Sequence, residues 1–338
     1  MSREVAVARP TMEDVAARAG VSRALVSLVM RGSPKVSEGR RQAVLDAAAE
    51  LDYAPHAMAR SLASRTSTLL GVLVSDLHNP FFAEIVDGLD EVARAEGFEL
   101  IINTGGLDPE RERDAVGRLL SFRPAGLALL GAAVPSADIA DAARRLPVVV
   151  VARPARIARV GTVNDDGRLG ARLAVDHLVD VGHTRITHFD GGRTTEARIR
   201  RDGYAAAMRA HGLEPDVIRS EYTDAGGEKA AARLLERGGE LPTAVVAAND
   251  VNAVGALSTF ADAGLAVPDD ISVVGYDNTA LSALRRIALT TVDQPRAEMG
   301  RLAARALLRR AQAGRGKPER RLVTPSLVVR STTARPRH

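Results

Sequence analysis

The apolar positions divide the chain into two textures. Residues 1–55 carry helical spacing and no strand alternation. Met12, Val15, Ala16 and Ala19 follow the i, i+3, i+4, i+7 rule of one helix face. Thr11 is a suitable N-cap, Asp14 three residues later completes a capping arrangement, and Gly20 supplies positive φ where the helix stops. Ser22 caps a second helix from Arg23 to about Met30, closed by Arg31-Gly32-Ser33-Pro34. Ser37 opens a third, with apolar Ala43, Val44, Ala47, Ala48 and Leu51. From Leu69 onward β-branched runs (LLGVLV, FELIIN, AGLALL, PVVVVA, RITHFD, AVVAAN, ISVVGYD) alternate with helical stretches, including those near 81–96 and 110–121. Continuous apolar strands alternating with helices predict parallel sheets covered on both faces, and the succession is long enough for two α/β subdomains. Pro55 to Ser67 lies between the two textures and ends in Ser-Arg-Thr-Ser-Thr, a linker composition.

Composition narrows the classes. At 338 residues and 46% hydrophobic content the chain exceeds one ordinary domain and has ample core material. No apolar run reaches the roughly 20 residues of a membrane span, and MSREVAVARP has no apolar h-region. The chain has no cysteine, which excludes disulfides, thiolate nucleophiles and Cys-ligated zinc. A soluble cytoplasmic protein is expected. Of the formal charge of +4, residues 1–66 supply ten Arg/Lys against seven Asp/Glu, a slight cationic bias toward a polyanion.

A helix, a tight turn at glycine and a second helix, with small Ala16 at the crossing, make a helix-turn-helix; on spacing alone a helical hairpin without a DNA role is the alternative. Val15, Ala19, Val21, Val26 and Val29 form the expected mini-core. That leaves Arg23, Ala24, Ser27 and Leu28 near or on the face that would enter a major groove, with Ser22 and the helix N-terminus toward phosphate. In the second texture, polar residues follow the strand ends: Asp76, Arg153, Asn249-Asp250 and Asp277. Open α/β sheets bind ligands there, and this mixture of carboxylate, amide and guanidinium suits a polar, hydroxyl-rich small molecule.

The run TMEDVAARAGVSRALVSLVMRG, with VSEGRR and LDYAP after it, resembles the lac repressor (LacI/GalR) family. Pro55 to Leu62 resembles that family's hinge helix, and the resemblance implies that Leu62 wedges into a central minor-groove step. It extends through DLHNPFF, VARP, ARIRRDGY, AND, GYDN and LTTVDQP, which are similar to the family's effector domain and hence to periplasmic sugar-binding proteins. The implied fold is an N-terminal all-α helix-turn-helix domain plus hinge helix, followed by an α/β two-lobed effector domain with parallel sheets. The implied boundaries are 1–54 for DNA binding, 55–68 for hinge and linker, and 69–334 for effector binding and dimerisation. Within the last, one lobe takes about 69–165 and 294–324, the other about 166–291 and 325–334.

Candidate DNA contacts are Thr11, Ser22, Arg23, Ala24, Ser27, Leu28, Arg31, His56, Ala59 and Leu62. Candidate effector contacts are Asp76, Asn79, Phe81, Phe82, Arg153, Arg200, Asn249, Asp277 and Asp293, with an aromatic beside Asn79 able to stack on a sugar ring. Leu25 stands where the family often has Thr, Leu28 where a polar residue is frequent, His56 where Asn is common and Ala152 where Asp is common. Apolar Leu28 shifts base readout toward Arg23 and toward DNA deformation at Leu62.

The expected partners are a near-palindromic double-stranded operator, a small sugar-like effector and a second copy of the chain, with no membrane. No cofactor and no metal site are expected. The expected function is a repressor, and whether effector releases or promotes DNA binding is left open. No nucleophile elbow, P-loop or dinucleotide glycine fingerprint supports an enzyme. A solute-binding protein is the rival for residues 69–334 alone. The tail STTARPRH has no leucine heptads, so no tail-mediated tetramer is expected.

Overall fold

The computed structural model describes residues 10–30, 33–53, 67–313 and 316–337. It forms two compact units, Met1–Ser67 and Thr68–His338.

In the first unit α1 (Met12–Arg18), α2 (Arg23–Met30) and α3 (Glu38–Glu50) enclose Val15, Ala16, Val26, Val29, Val36, Val44, Ala47 and Ala48. Thr11 and Asp14 form the full capping box: Asp14 N–H donates to the Thr11 hydroxyl, and Thr11 N–H to the Asp14 carboxylate at 2.8 Å. Those hydrogen bonds to its charged form hold Asp14 below the usual carboxylate range. Gly20 takes φ +65° at the turn, and Ser22 Oγ accepts from Leu25 N–H at 3.2 Å. Ala43, read from the sequence as part of the helix's apolar set, is exposed; Val44, Ala47 and Ala48 carry the buried face.

The second unit is built on two six-stranded sheets. The first, in the order β11-β5-β4-β3-β1-β2, comprises β1 (Leu69–Val74), β2 (Glu99–Thr104), β3 (Gly126–Leu130), β4 (Val148–Val151), β5 (Val160–Asp165) and β11 (Arg320–Val323), all parallel. One face packs on α4 (Pro80–Ala95) and α11 (Arg296–Gln312), the other on α5 (Pro109–Ser121) and α6 (Ser136–Arg145). We call this the N-lobe.

The second sheet runs β12-β10-β9-β8-β6-β7. Its strands are β6 (Ile186–Asp190), β7 (Asp216–Arg219), β8 (Ala244–Val246), β9 (Ser272–Asp277), β10 (Thr290–Asp293) and β12 (Ser326–Val328). All pairs are parallel except β10 with β12. Helices α7 (Gly167–Asp180) and α8 (Thr195–Ala210) cover one face; α9 (Asp224–Glu236) and α10 (Asp250–Asp262) cover the other. This is the C-lobe.

The chain changes sheet three times: between β5 and α7, between β10 and α11, and between β11 and β12. The expected fold class, a helical module followed by a two-lobed α/β unit with parallel-dominated sheets, is what the chain adopts. No helix among the described residues is long and apolar enough to cross a membrane.

Candidate DNA-reading module and interlobe cleft

On α2, Arg23 and Ala24 are exposed, while Ser27 and Leu28 are half-buried. Leu28 packs against the mini-core, so only part of its side chain is displayed. Arg23 Nε lies 2.9 Å from Glu13 Oε1, with both side chains largely in solvent. Such a pair is worth about 0–1 kcal/mol, so Arg23 can leave it for a base edge at small cost. Arg31, His56, Ala59 and Leu62 lie outside the described residues.

In the second unit the expected effector residues do follow the carboxyl ends of strands. On the N-lobe side, Asp76 Oδ1 accepts from His78 N–H at 2.8 Å, and Asn79 caps α4 by accepting from Phe81 N–H at 3.0 Å. Phe81 and Phe82 turn inward: both are buried in the N-lobe core, and the Phe82 ring closes on Gly131. Arg153, two residues past β4, donates from Nη1 to Ala132 O at 2.6 Å and Val134 O at 2.7 Å. Those bonds fix the guanidinium across the loop after β3.

The C-lobe holds the denser cluster. Arg200 on α8 is buried, its Nη1 donating to Ala248 O at 3.0 Å. Its guanidinium carbon stands 3.7 Å from the Tyr276 ring centroid and 5.7 Å from that of Tyr222. A desolvated guanidinium held against aromatic faces gains cation–π attraction. Asp277, at the end of β9, approaches Arg200 Nη2 to 3.9 Å and accepts from Gln294 Nε2 at 2.6 Å. Burial pushes the Asp277 carboxyl up to about 8; Arg200 opposes this, and buried Asp250 reinforces it. Asn249 caps α10 by accepting from Asn252 N–H at 2.9 Å. Asp293, at the end of β10, accepts from Asn278 Nδ2 at 2.9 Å and Arg296 Nη1 at 3.1 Å.

Several groups that sequence reasoning did not single out complete this cluster. Glu196, in the first turn of α8, is largely buried; burial raises its pKa while the positive fields of Arg200 and Arg153 oppose the rise. It therefore senses arginines from both lobes. Tyr222 lies near Thr194 without a well-aligned hydrogen bond from its hydroxyl, and its ring seats directly on Gly191, where a Cβ would fall 2.1 Å from the ring. The Tyr276 hydroxyl donates to Asp165 at the end of β5, joining the C-lobe to the first crossover. The Gln294 Oε1 atom is buried with no partner. Tyr276 and Gln294 sit inside the GYDN and LTTVDQP runs; Glu196 had only its i, i+4 spacing to Arg200, and Tyr222 had no signal of its own.

The remaining sequence candidates have local partners. Asp166 caps α7, accepting from Leu169 N–H at 3.1 Å. His183 bonds Thr243 and Ala334 O, and His188 bonds Val246 O. No group of three or more metal-binding side chains occurs among the described residues.

Residues 11–56 match the profile of bacterial regulatory proteins of the lacI family, and residues 175–333 that of the periplasmic binding protein-like domain. The HTH-type transcriptional regulator GalR of Escherichia coli K12 is 37% identical over 96% of both chains. The chain belongs to the lacI family. Among solved structures, a lac repressor dimer bound to operator and the anti-inducer ONPF is 30% identical with a TM-score of 0.81, over 97% of this chain and 100% of that one. The transcriptional regulator CelR in complex with cellobiose is 33% identical with a TM-score of 0.72, over 96% of this chain and 100% of that one.

This lacI-family chain is thus a DNA-binding transcriptional regulator whose helix-turn-helix is the part matched by the family profile. The likeness spans the regulator's full length, which separates it from a solute-binding protein lacking the first unit. Its relatives are regulators rather than enzymes.

Proposed function

We propose that this protein is a homodimeric repressor acting in the cytoplasm, whose hold on a near-palindromic operator is set by a small sugar-like effector between the two lobes. In this reading residues 1–54 read the major groove, with Arg23 the principal base contact and Thr11, Ser22, Ala24, Ser27, Leu28 and Arg31 around it. Residues 55–68 form the hinge, whose His56 and Ala59 lie against the minor groove while Leu62 wedges a base step. Residues 69–334 bind effector and dimerise.

The observation that carries the effector reading is the cluster of Arg200, Asp277, Asn249 and Tyr222 at the strand ends of the C-lobe, with Arg153 fixed on the N-lobe side. A buried guanidinium and carboxylate 3.9 Å apart offer a hydroxylated ring both a donor fork and an acceptor. The half-buried Tyr222 ring gives it a face. Asp76, Asn79 and Asp293 contribute oxygens at the rim, whereas buried Phe81 and Phe82 shape the floor rather than stack. The solved relative in complex with cellobiose supports a carbohydrate-like ligand.

Thermal-shift screening of the full chain against monosaccharides, disaccharides and nucleosides, with ribose and cellobiose included, should yield at least one compound that raises the melting temperature. Arg200→Ala should erase that shift while operator retention without ligand persists. Joint loss of both in Arg200→Ala would reduce Arg200 to a folding residue. Footprinting of genomic fragments should give a two-fold symmetric protected site; uniform protection of all DNA would overturn the operator reading.

A further inference from the structure

Arg296 stands where a cation is disfavoured twice over. It is the first residue of α11, at the positive end of the helix dipole, and it is 7% exposed, so its charge is desolvated. Its fork compensates by gathering oxygens from both lobes. Nη1 donates to Asp277 O, to Asp293 Oδ1 at 3.1 Å and to Gln294 O at 3.1 Å; Nη2 meets Glu84 Oε2 at 2.9 Å. Asp277 and Asp293 end β9 and β10 of the C-lobe, whereas Glu84 lies on α4 of the N-lobe.

Both ends of this tie are mechanically distinctive. At the C-lobe end, Asp277 takes φ +110° and Asn278 φ +55°, a left-handed pair of non-glycine residues that persists only when its surroundings over-determine it. Arg296 holds the Asp277 carbonyl and Gln294 its carboxylate, while Asn278 is tied to Asp293 at 2.9 Å and to Arg330 at 2.6 Å. At the N-lobe end, α4 and α11 approach backbone to backbone. A Cβ at Gly88 would fall 2.0 Å from Ala297 O, and one at Gly300 the same distance from Ile85 O. The helix pair therefore moves as one body.

We infer that Arg296 is a positioning residue that holds the strained Asp277 turn in register and couples it, through Glu84, to helix α4 of the opposite lobe. The inference rests on the reading of the cleft as an effector site for its purpose, but not for its geometry. A ligand that engages the Asp277 carboxylate changes the load on a turn already pinned to the N-lobe, so the two lobes share the differential contact that any two-state switch requires. Lysine cannot replace the fork, because one ammonium cannot span carbonyl and carboxylate partners on two lobes.

Hydrogen–deuterium exchange of the full-length chain, without ligand or DNA, tests the tie directly. Arg296→Met should raise exchange severalfold in both 274–282 and 80–92, and Arg296→Lys should be intermediate. Glu84→Gln alters only an N-lobe side chain, yet it should also speed exchange at 274–282. Combined with Arg296→Met it should add nothing there. Confinement of the Glu84→Gln effect to α4 overturns the coupling, as does an unchanged 274–282 segment in Arg296→Met. Uniformly faster exchange in Arg296→Met, including 127–130 and 244–246, would also overturn it by exposing a general folding role. Should the ligand screen find nothing while the Glu84→Gln effect crosses lobes, the effector reading fails and the tie stands.

Discussion

In the N-lobe, β1, β3 and β4 (LLGVLV, GLALL and VVVV) are buried along their whole lengths, and their side chains are almost entirely apolar. Of the C-lobe strands in the same sheet positions, β8 (AVV) is equally apolar, but β6 and β9, buried throughout, read ITHFD and SVVGYD, and β10, the counterpart of β5, reads TTVD. Asp190, Asn249, Asp250, Asn252, Asp277, Thr279, Thr290 and Thr291 are all buried in the C-lobe. One topology thus serves two purposes: the N-lobe gains stability from packing, and the C-lobe spends part of its interior on a hydrogen-bonded network that ends in the proposed effector residues. Buried networks specify a single arrangement when every member is satisfied, and they fail sharply when one is removed. The same division appears in the chromophores. The chain has no tryptophan, and three of its four tyrosines, Tyr204, Tyr222 and Tyr276, lie in the C-lobe, so tyrosine fluorescence reports on that lobe while far-UV circular dichroism sees both.

The sharpest test of this contrast is a pair of alanine substitutions. Asp250 accepts from Thr279 N–H at 2.6 Å, from the Thr279 hydroxyl at 3.0 Å and from the Thr291 hydroxyl at 2.5 Å, all in the interior. Asp250→Ala strands those donors and should cost the C-lobe about 4 kcal/mol, at roughly 1–3 kcal/mol for each unsatisfied buried group. Leu130→Ala leaves only a cavity in the N-lobe core, and should cost about 3 kcal/mol. Urea unfolding followed by tyrosine fluorescence should shift strongly for Asp250→Ala and little for Leu130→Ala, whereas circular dichroism should register both. Equal fluorescence shifts would mean that the lobes unfold as one unit.

The difference between the lobes also explains what the sequence made legible. Strands β1, β3 and β4 announce themselves because a parallel strand buried on both faces must be continuously apolar. The capping box at Thr11 and Asp14 is equally local, and so is the turn at Gly20. The motifs around Arg200, Asn249 and Asp277, and for the last two the strand ends, mark them as candidates, and the fold brings the three together. Strands β7 (DVIR), β11 (RRLV) and β12 (SLV) carry no such signal, because they are short, lie at or next to sheet edges and leave polar residues outside. The VGTVND of β5 and the TTVD of β10 are polar enough to read as loop; each pairs on one side with the preceding strand and on the other with a strand near the C-terminus, β11 or β12. Phe81 and Phe82 looked like a stacking surface because they adjoin Asn79, but the helix that Asn79 caps rotates both rings into the core. Glu196 lies one helical turn before Arg200 on α8, whereas Tyr222 comes from the loop before α9, and only the folded sheet brings it beside Arg200.

Acid provides a second way to separate the lobes. His188 is fully buried in the C-lobe, donates Nδ1–H to Val246 O at 2.9 Å and has its pKa depressed to about 4 by burial. His177 and His183, also in the C-lobe, are lowered for the same reason. Among the described residues the N-lobe has no buried histidine; there burial acts on a carboxyl and raises Glu112. The unfolded chain binds the His188 proton as pH falls through about 6.5, while the folded chain resists until about 4, so the contribution of this group is full above pH 6.5 and is lost below it. At 1.36 kcal/mol per unit the loss approaches about 3 kcal/mol near pH 4. His188→Gln keeps a donor for Val246 O and removes the titration. The stability difference between variant and parent should be constant from pH 7 to 8 and should move in the variant's favour below pH 6.5. Asp250 and Asp277 have raised pKa values and act in the opposite sense, but they are common to both proteins and cancel in the difference. A difference that stays flat to pH 4 would mean that His188 titrates with an ordinary pKa.

The smallest expected effects come from one residue type performing one task in both lobes. Asn79 and Asn249 each cap the helix that follows a strand end, accepting from Phe81 N–H and Asn252 N–H respectively. Asn79 is half-buried at the start of α4, where water can take over the freed amide, so Asn79→Ala should cost about 1 kcal/mol. Asn249 is 1% exposed and also donates to Tyr222 O at 3.4 Å. No water can replace either bond there without reorganising the cleft, so Asn249→Ala should cost about 2 kcal/mol, the upper end for a lost cap. The tyrosine fluorescence of the native state should also change in Asn249→Ala, because the Tyr222 backbone loses its tether, and should be unaltered in Asn79→Ala. Identical costs and identical spectra would show that the cleft wall of the C-lobe is as solvated as that of the N-lobe, and the contrast between a packed lobe and a wired one would then hold only in their interiors.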